Sequence, residues 1–171
     1  MSLTAKRFRR VRAGVAAAPE VDSVSQFVAF RLGSLQCGLD ITRVQEVTPV
    51  SLITKRSELP GFLAGIIHRH GRAIPIVDLC TRFNRPPAGA QEHARIIVAI
   101  VHDRTIGFIV DGATDVVRIR ADQIHAAPGI KGIDTACIAG CARIDANELI
   151  LLNIDKVISQ DEVKQLPDMA E

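Results

Sequence analysis

The chain has 171 residues and a formal net charge of +2, with 47% hydrophobic residues, no Trp, no Tyr and six Phe. That length suffices for one ordinary domain or for two small lobes sharing a core, so no metal or disulfide staple is required. With so few aromatics the core must come from Ile, Val, Leu and Ala, a β-branched bias that favours strands, and no run approaches the ~18 consecutive apolar residues of a transmembrane helix.

Residues 1–24 carry five basic side chains, Lys6, Arg7, Arg9, Arg10 and Arg12, against Glu20 and Asp22, so this stretch is +3 and the remainder −1. The apolar run behind the basic residues is too short for a secretory signal, which needs ~7–15 residues. A solvated, disordered basic arm on a cytoplasmic protein is expected. The rest of the chain has no net basic excess with which to bind nucleic acid.

Residues 25–32 read as a first strand, Gly33-Ser34 as its turn and residues 35–41 as the returning strand. Thr42 is a candidate N-cap for a helical turn through Arg43 to Glu46, and Val47 to Thr54, which contains Pro49, reads as an extended edge-like segment. Leu59-Pro60-Gly61 punctuates. A hairpin then spans Gly61 to Leu79, its tip holding His68 and His70, which on a regular strand lie side by side on one face. Gly65 and Gly71 are turn candidates, and Gly71 supplies the positive φ such a tip demands. Pro75 cannot donate to a ladder, which predicts an edge or a bulge for the outgoing strand.

Asp78 is placed to cap a short helix, Leu79 to Phe83. Residues 85–90 hold two prolines and a glycine and predict a boundary between lobes, which would meet near 85–93. Ala94 to Val101 is almost continuously apolar, the pattern of a strand buried on both faces. His102-Asp103-Arg104 turns it into a strand over 105–111. Val116–Ile119 and Ile138–Ile144 are further strands, with a loop over 130–136 between them. Asp145-Ala146-Asn147 turns into a strand over 148–153, and a ragged terminal helix follows from Ile154. The prediction is a mostly β protein in two lobes.

For chemistry, His68 and His70 with His93, His102 or His125 would be the candidate metal ligands, but the last three are scattered among turns and no complete ligand set emerges. Cys37, Cys80, Cys137 and Cys141 lack paired half-sites and read as free thiols, two of them buried. Asp78, Asp111 and Asp155 each follow an apolar run and are expected to cap the break that comes next. No nucleophile elbow, P-loop or dinucleotide fingerprint is present. Neither catalysis, metal nor cofactor is expected; a β-rich module of this kind usually binds other proteins.

Several motifs then fall into one order. Phe27-Val28-Ala29-Phe30-x-Leu32-Gly33 precedes Gly38-Leu39-Asp40-Ile41-x-x-Val44-Gln45-Glu46-Val47. Next come Gly65-Ile66-Ile67, the tip, and Gly71 with Ile74-Pro75-Ile76-Val77-Asp78-Leu79 and Phe83. Gly107-x-x-Val110-Asp111-Gly112-x-x-Asp115-Val116, Ile124-x-x-x-Pro128 and Leu151-Leu152-Asn153-Ile154-Asp155-Lys156 complete the series. Over about residues 25–159 this resembles the CheW family of chemotaxis coupling proteins.

The resemblance implies two intertwined five-stranded SH3-like barrels with short helices and a groove between them, the C-terminal segment returning to the first lobe and residues 160–171 forming a tail. It also implies a non-catalytic adaptor linking the cytoplasmic tips of chemoreceptors to the regulatory domain of a CheA-type histidine kinase, cytoplasmic and peripheral to receptor arrays, without membrane insertion. A coupling protein for a pilus or other non-flagellar chemosensory pathway, a His-ligated metal enzyme and an RNA-binding β-barrel are the alternatives. Partner-binding residues are expected at Val44, Glu46, Leu63, Ile66, His68 and His70. The family tip is commonly Asn-Leu-Arg-Gly, so here His70 stands at the arginine position. A His70–Glu46 pairing would make binding pH-dependent. Arg69 would point to the other face of a regular strand and could not replace it.

Overall fold

The structure is a computed structural model that describes residues 23–50, 53–55, 59–84, 91–127 and 129–166. The expected basic arm lies outside the described residues up to residue 22, as do residues 85–90 of the expected lobe boundary, Pro128 and residues 167–171 of the tail.

The chain is mostly β, as its β-branched composition leads one to expect. Among the described residues ten strands are formed: β1 (Val24–Leu32), β2 (Leu35–Asp40), β3 (Val44–Pro49), β4 (Leu63–Arg69), β5 (Arg72–Asp78), β6 (Arg95–Val101), β7 (Arg104–Val110), β8 (Gly112–Arg120), β9 (Ile138–Ile144) and β10 (Asn147–Leu152). Three short helices accompany them, α1 (Leu79–Arg82), α2 (Ile154–Val157) and α3 (Gln160–Lys164). The strands make two five-stranded sheets in the orders β8-β1-β2-β10-β9 and β3-β6-β7-β5-β4. Both follow one plan. A central hairpin, β1–β2 or β6–β7, pairs on one side with a lone strand and on the other, in parallel, with the second strand of another hairpin.

Alternate residues of one strand face different cores, which is why the apolar runs show so little alternation. On β6, Ile96 and Val98 pack within the second sheet's own cluster, while Ile97, Ala99 and Val101 join the large cluster shared by both sheets. On β1, Phe27 and Ala29 pack inside the first sheet, and Val28, Phe30 and Leu32 join the shared core. The two sheets are therefore held together by apolar packing, with Phe30 and Phe108 among its largest fully buried side chains.

Several local expectations need correcting. Thr42 caps no helix: Asp40 accepts from the Thr42 N–H to cap a 3-10 turn at Ile41–Arg43, and Val44 to Glu46 belong to β3. β5 is an interior strand despite Pro75, because Pro75 faces Ile66 on β4 and the parallel pairing with β7 begins only at Ile76. β8 runs well beyond the predicted Val116–Ile119.

Of the three aspartates only Asp78 is a cap, accepting from the N–H groups of Cys80 and Thr81. Asp111, 8% exposed, accepts instead from the Gly33 N–H at 2.5 Å and from the Cys80 thiol, tying the β1–β2 turn to the end of β7. Asn153, not Asp155, caps α2. All four cysteines are free and buried, two more than expected. Burial and the neighbouring Asp111 carboxylate push the Cys80 thiol up to about 12, so it is an inert core group.

Candidate functional site

The tip of the β4–β5 hairpin is built around a two-residue loop. Arg69 and Arg72 are directly opposed in the register, leaving His70 and Gly71 as the loop, with φ of 54° and 73°. Positive φ at both positions is the type I′ geometry, which His tolerates better than most side chains and Gly adopts freely. The same device recurs at His102-Asp103 and Asp145-Ala146. His70 has thus left the strand, and it does not share a face with His68.

Glu46 lies on β3, an outer strand of the second sheet. The β3–β6 register shifts between Val44 and Glu46. That bulge leaves Val44 in the shared core at 8% exposure while Glu46 emerges half-buried. The sheet curls enough for its two outer strands to meet there. Arg69 at the end of β4 donates to Glu46 through Nη2 to Oε1 at 2.9 Å and Nε to Oε2 at 3.3 Å, and His70 Nε2 stands 3.4 Å from Oε2.

Contrary to the regular-strand expectation, it is Arg69 that holds Glu46 in two-point geometry, with His70 beside it. The Arg69 hydrogen bond holds the Glu46 carboxyl below its usual range; partial burial opposes this, and the Arg69 and His70 charges add to it.

The other expected contact residues are distributed unevenly. Val44 and Ile66, 8% and 2% exposed, are interior, Val44 in the core shared by both sheets and Ile66 in the buried middle of β4. Leu63 is half-buried, and His68 and His70 are exposed. Gly71 occupies the turn, but Gly65 lies within β4 at a register shift, beside the backbone of Thr54.

The histidines do not converge. His93 stands near Glu92, His102 Nε2 lies between the carbonyls of Asp155 and Ile158, and His125 pairs with Cys141 through backbone hydrogen bonds. Among the described residues no group of three His, Cys, Asp or Glu could hold a metal ion.

Two arginines with no distinguishing local pattern fasten the C-terminal helices. Arg43 binds Asp155 through Nη2 to Oδ1 at 2.5 Å and Nη1 to Oδ2 at 3.0 Å, and also donates to the Ile100 carbonyl. This hydrogen bond to Arg43 holds the Asp155 carboxyl low, against partial burial. Arg82 binds Glu162 at 2.6 Å, donates to the Val157 carbonyl and lies 5.5 Å from the Phe62 ring centroid. Residues 112 and 80 positions apart meet here, so no local spacing reports them. Arg43→Ala is expected to lower stability by about 1 kcal/mol, the scale of a partly exposed pair, and to speed amide exchange over α2 first. Equal acceleration across all strands would contradict this assignment.

A family model for the CheW-like domain matches residues 26–162. The chain is 31% identical over 146 residues to Chemotaxis protein CheW of Klebsiella aerogenes, covering 85% of this chain and 88% of that one. It is 27% identical over 158 residues to Chemotaxis protein CheW of Bacillus subtilis, covering 88% and 98%. Among solved structures, the scaffolding protein TtCheW of Thermoanaerobacter tengcongensis superposes with a TM-score of 0.74 at 31% identity, covering 88% of this chain and 95% of that one.

Proposed function

The chain belongs to the CheW-like family, and on that footing we propose that it is a non-catalytic chemotaxis adaptor that couples the cytoplasmic tips of chemoreceptors to the regulatory domain of a CheA-type histidine kinase. It works in the cytoplasm, at the periphery of receptor arrays. The observation that carries the reading is the match over residues 26–162, which runs from within β1 through both sheets and α2 into α3. The Glu46–Arg69 pair supports it, because it puts a half-exposed, oriented charge pair where the coupling residues of the family are expected.

The test is a binding assay of the full chain against a kinase regulatory domain and a receptor-tip fragment. Both should bind, and failure of either would remove the coupling role. Arg69→Glu is expected to weaken binding at least tenfold, on the scale of a like-charge juxtaposition at an interface. Combining it with Glu46→Arg should recover much of the loss, because the pair is re-formed with the charges exchanged.

The expected pH dependence through His70 also changes. Arg69 stays charged throughout the working range. Glu46, with its folded pKa lowered, contributes stability that is fully present above the unfolded value of about 4.3 and is lost only as pH falls through the lower folded value. Affinity and stability from the Glu46–Arg69 pair should therefore be flat between about pH 6 and 8. A steep rise in wild-type affinity toward pH 6, abolished in His70→Arg, would return the role to the histidine.

A further inference from the structure

We propose that Arg69 and Arg72 form a carboxylate clamp, and that Arg72 contacts an acidic side chain of the docked partner protein. This rests on the adaptor reading and specifies the chemistry of the partner at that same surface. Arg69 and Arg72 are directly opposed in the β4–β5 register, so their side chains project from the same face of the hairpin, as close cross-strand neighbours. Like charges in that relation repel unless anions lie between or beside them. Glu46 engages Arg69. Arg72 is exposed and, among the described residues, forms no ion pair.

The permanent charges here are two guanidinium groups and one carboxylate, a net +1, so the site is short by a single negative charge. That count suits a carboxylate and disfavours a polyanion, which Glu46 would repel at close range. Guanidinium groups also match a carboxylate in planar, two-point geometry. A partner Glu or Asp beside Arg72 would extend the row to Glu46, Arg69, Arg72 and the incoming acid, and would relieve the arginine–arginine repulsion on docking. The His70-Gly71 loop is compact enough to leave that face open.

The experiment is calorimetric titration of the full chain and its variants with the receptor-tip fragment and the kinase regulatory domain, at low and high salt. Arg72→Glu is expected to weaken binding to at least one of them tenfold or more and to flatten the salt dependence. Arg72→Lys should cost only two- to threefold, since it keeps the charge and loses the fork. The unfolding midpoints of both variants should match the wild type, because the side chain is exposed.

Wild-type binding with unchanged affinity and salt dependence in Arg72→Glu overturns the clamp and leaves the adaptor reading intact. Wild type that binds neither fragment overturns the adaptor reading, and the clamp with it. A short oligonucleotide bound by wild type and released by Arg72→Glu would overturn the assignment in favour of a phosphate site.

Discussion

Replacing Phe108 with alanine is expected to remove about 3–5 kcal/mol of stability, the usual cost of an aromatic deleted from a core that cannot collapse around the gap. The ring is 1% exposed in the cluster common to both sheets, and its strand is interior, with Ile97 opposite it on β6 and Val77 on β5. Three strands in a row fix its surroundings, so little can move in to fill the space. Urea unfolding should show a lower midpoint with an unchanged slope. A loss under 1 kcal/mol would mean that the sheets do not depend on this packing.

Gly65→Ala is the second large effect, at about 2–4 kcal/mol from overpacking and backbone strain together. Gly65 has φ of +154°, and an added Cβ would collide with Ile53 Cγ2 and sit 2.6 Å from the Thr54 carbonyl oxygen. A methyl cannot be accommodated by a side-chain adjustment alone, because one of the obstacles is backbone. The Thr54–Ile66 bridge, with hydrogen bonds of 2.8 and 2.9 Å, must open or the bulge must rearrange. Gly61 provides the control, since a Cβ there meets nothing within 4 Å. The measurement is thermal unfolding of both variants, with amide exchange at Ile66 as the local readout. Equal behaviour of the two glycines would contradict the close approach.

Much of this fold could be read from residues because the relevant signals are local. The apolar run at Ile96–Ala99 announces a strand buried on both faces, and Asp78 announces its own cap. The failures share a physical cause, which is that the deciding partner is distant in sequence. Asp78, Asp111 and Asp155 look alike locally; one caps the next residues, one holds the N–H of Gly33 and one holds Arg43.

At the hairpin tip the strand period does not extend through His70. The pattern Arg-His-Gly-Arg with strands on either side already contains a two-residue loop ending in Gly. Placing the loop there takes His70 out of the strand alternation and leaves Arg69 as the last paired residue of β4. That it reaches Glu46 depends on the bulge in β3 and the curl of the sheet, and neither has a signature in the tip itself. Val44 and Ile66 are expected as contacts on the resemblance rather than on any periodicity, and both are buried.

The order of strands also bears on how the chain becomes a protein during synthesis. Every strand of the second sheet comes from one continuous stretch, Val44 to Val110. The first sheet is assembled from β1 and β2 at one end of the chain and β8, β9 and β10 at the other. At about 5–20 residues per second the ribosome delivers the whole of the second sheet seconds before β9 and β10 exist. Until then the β1–β2 hairpin has neither of its neighbours β8 and β10, and its edges are open to other chains. A released fragment ending near residue 111 should therefore hold protease-resistant structure in its later strands while β1 and β2 are still cut.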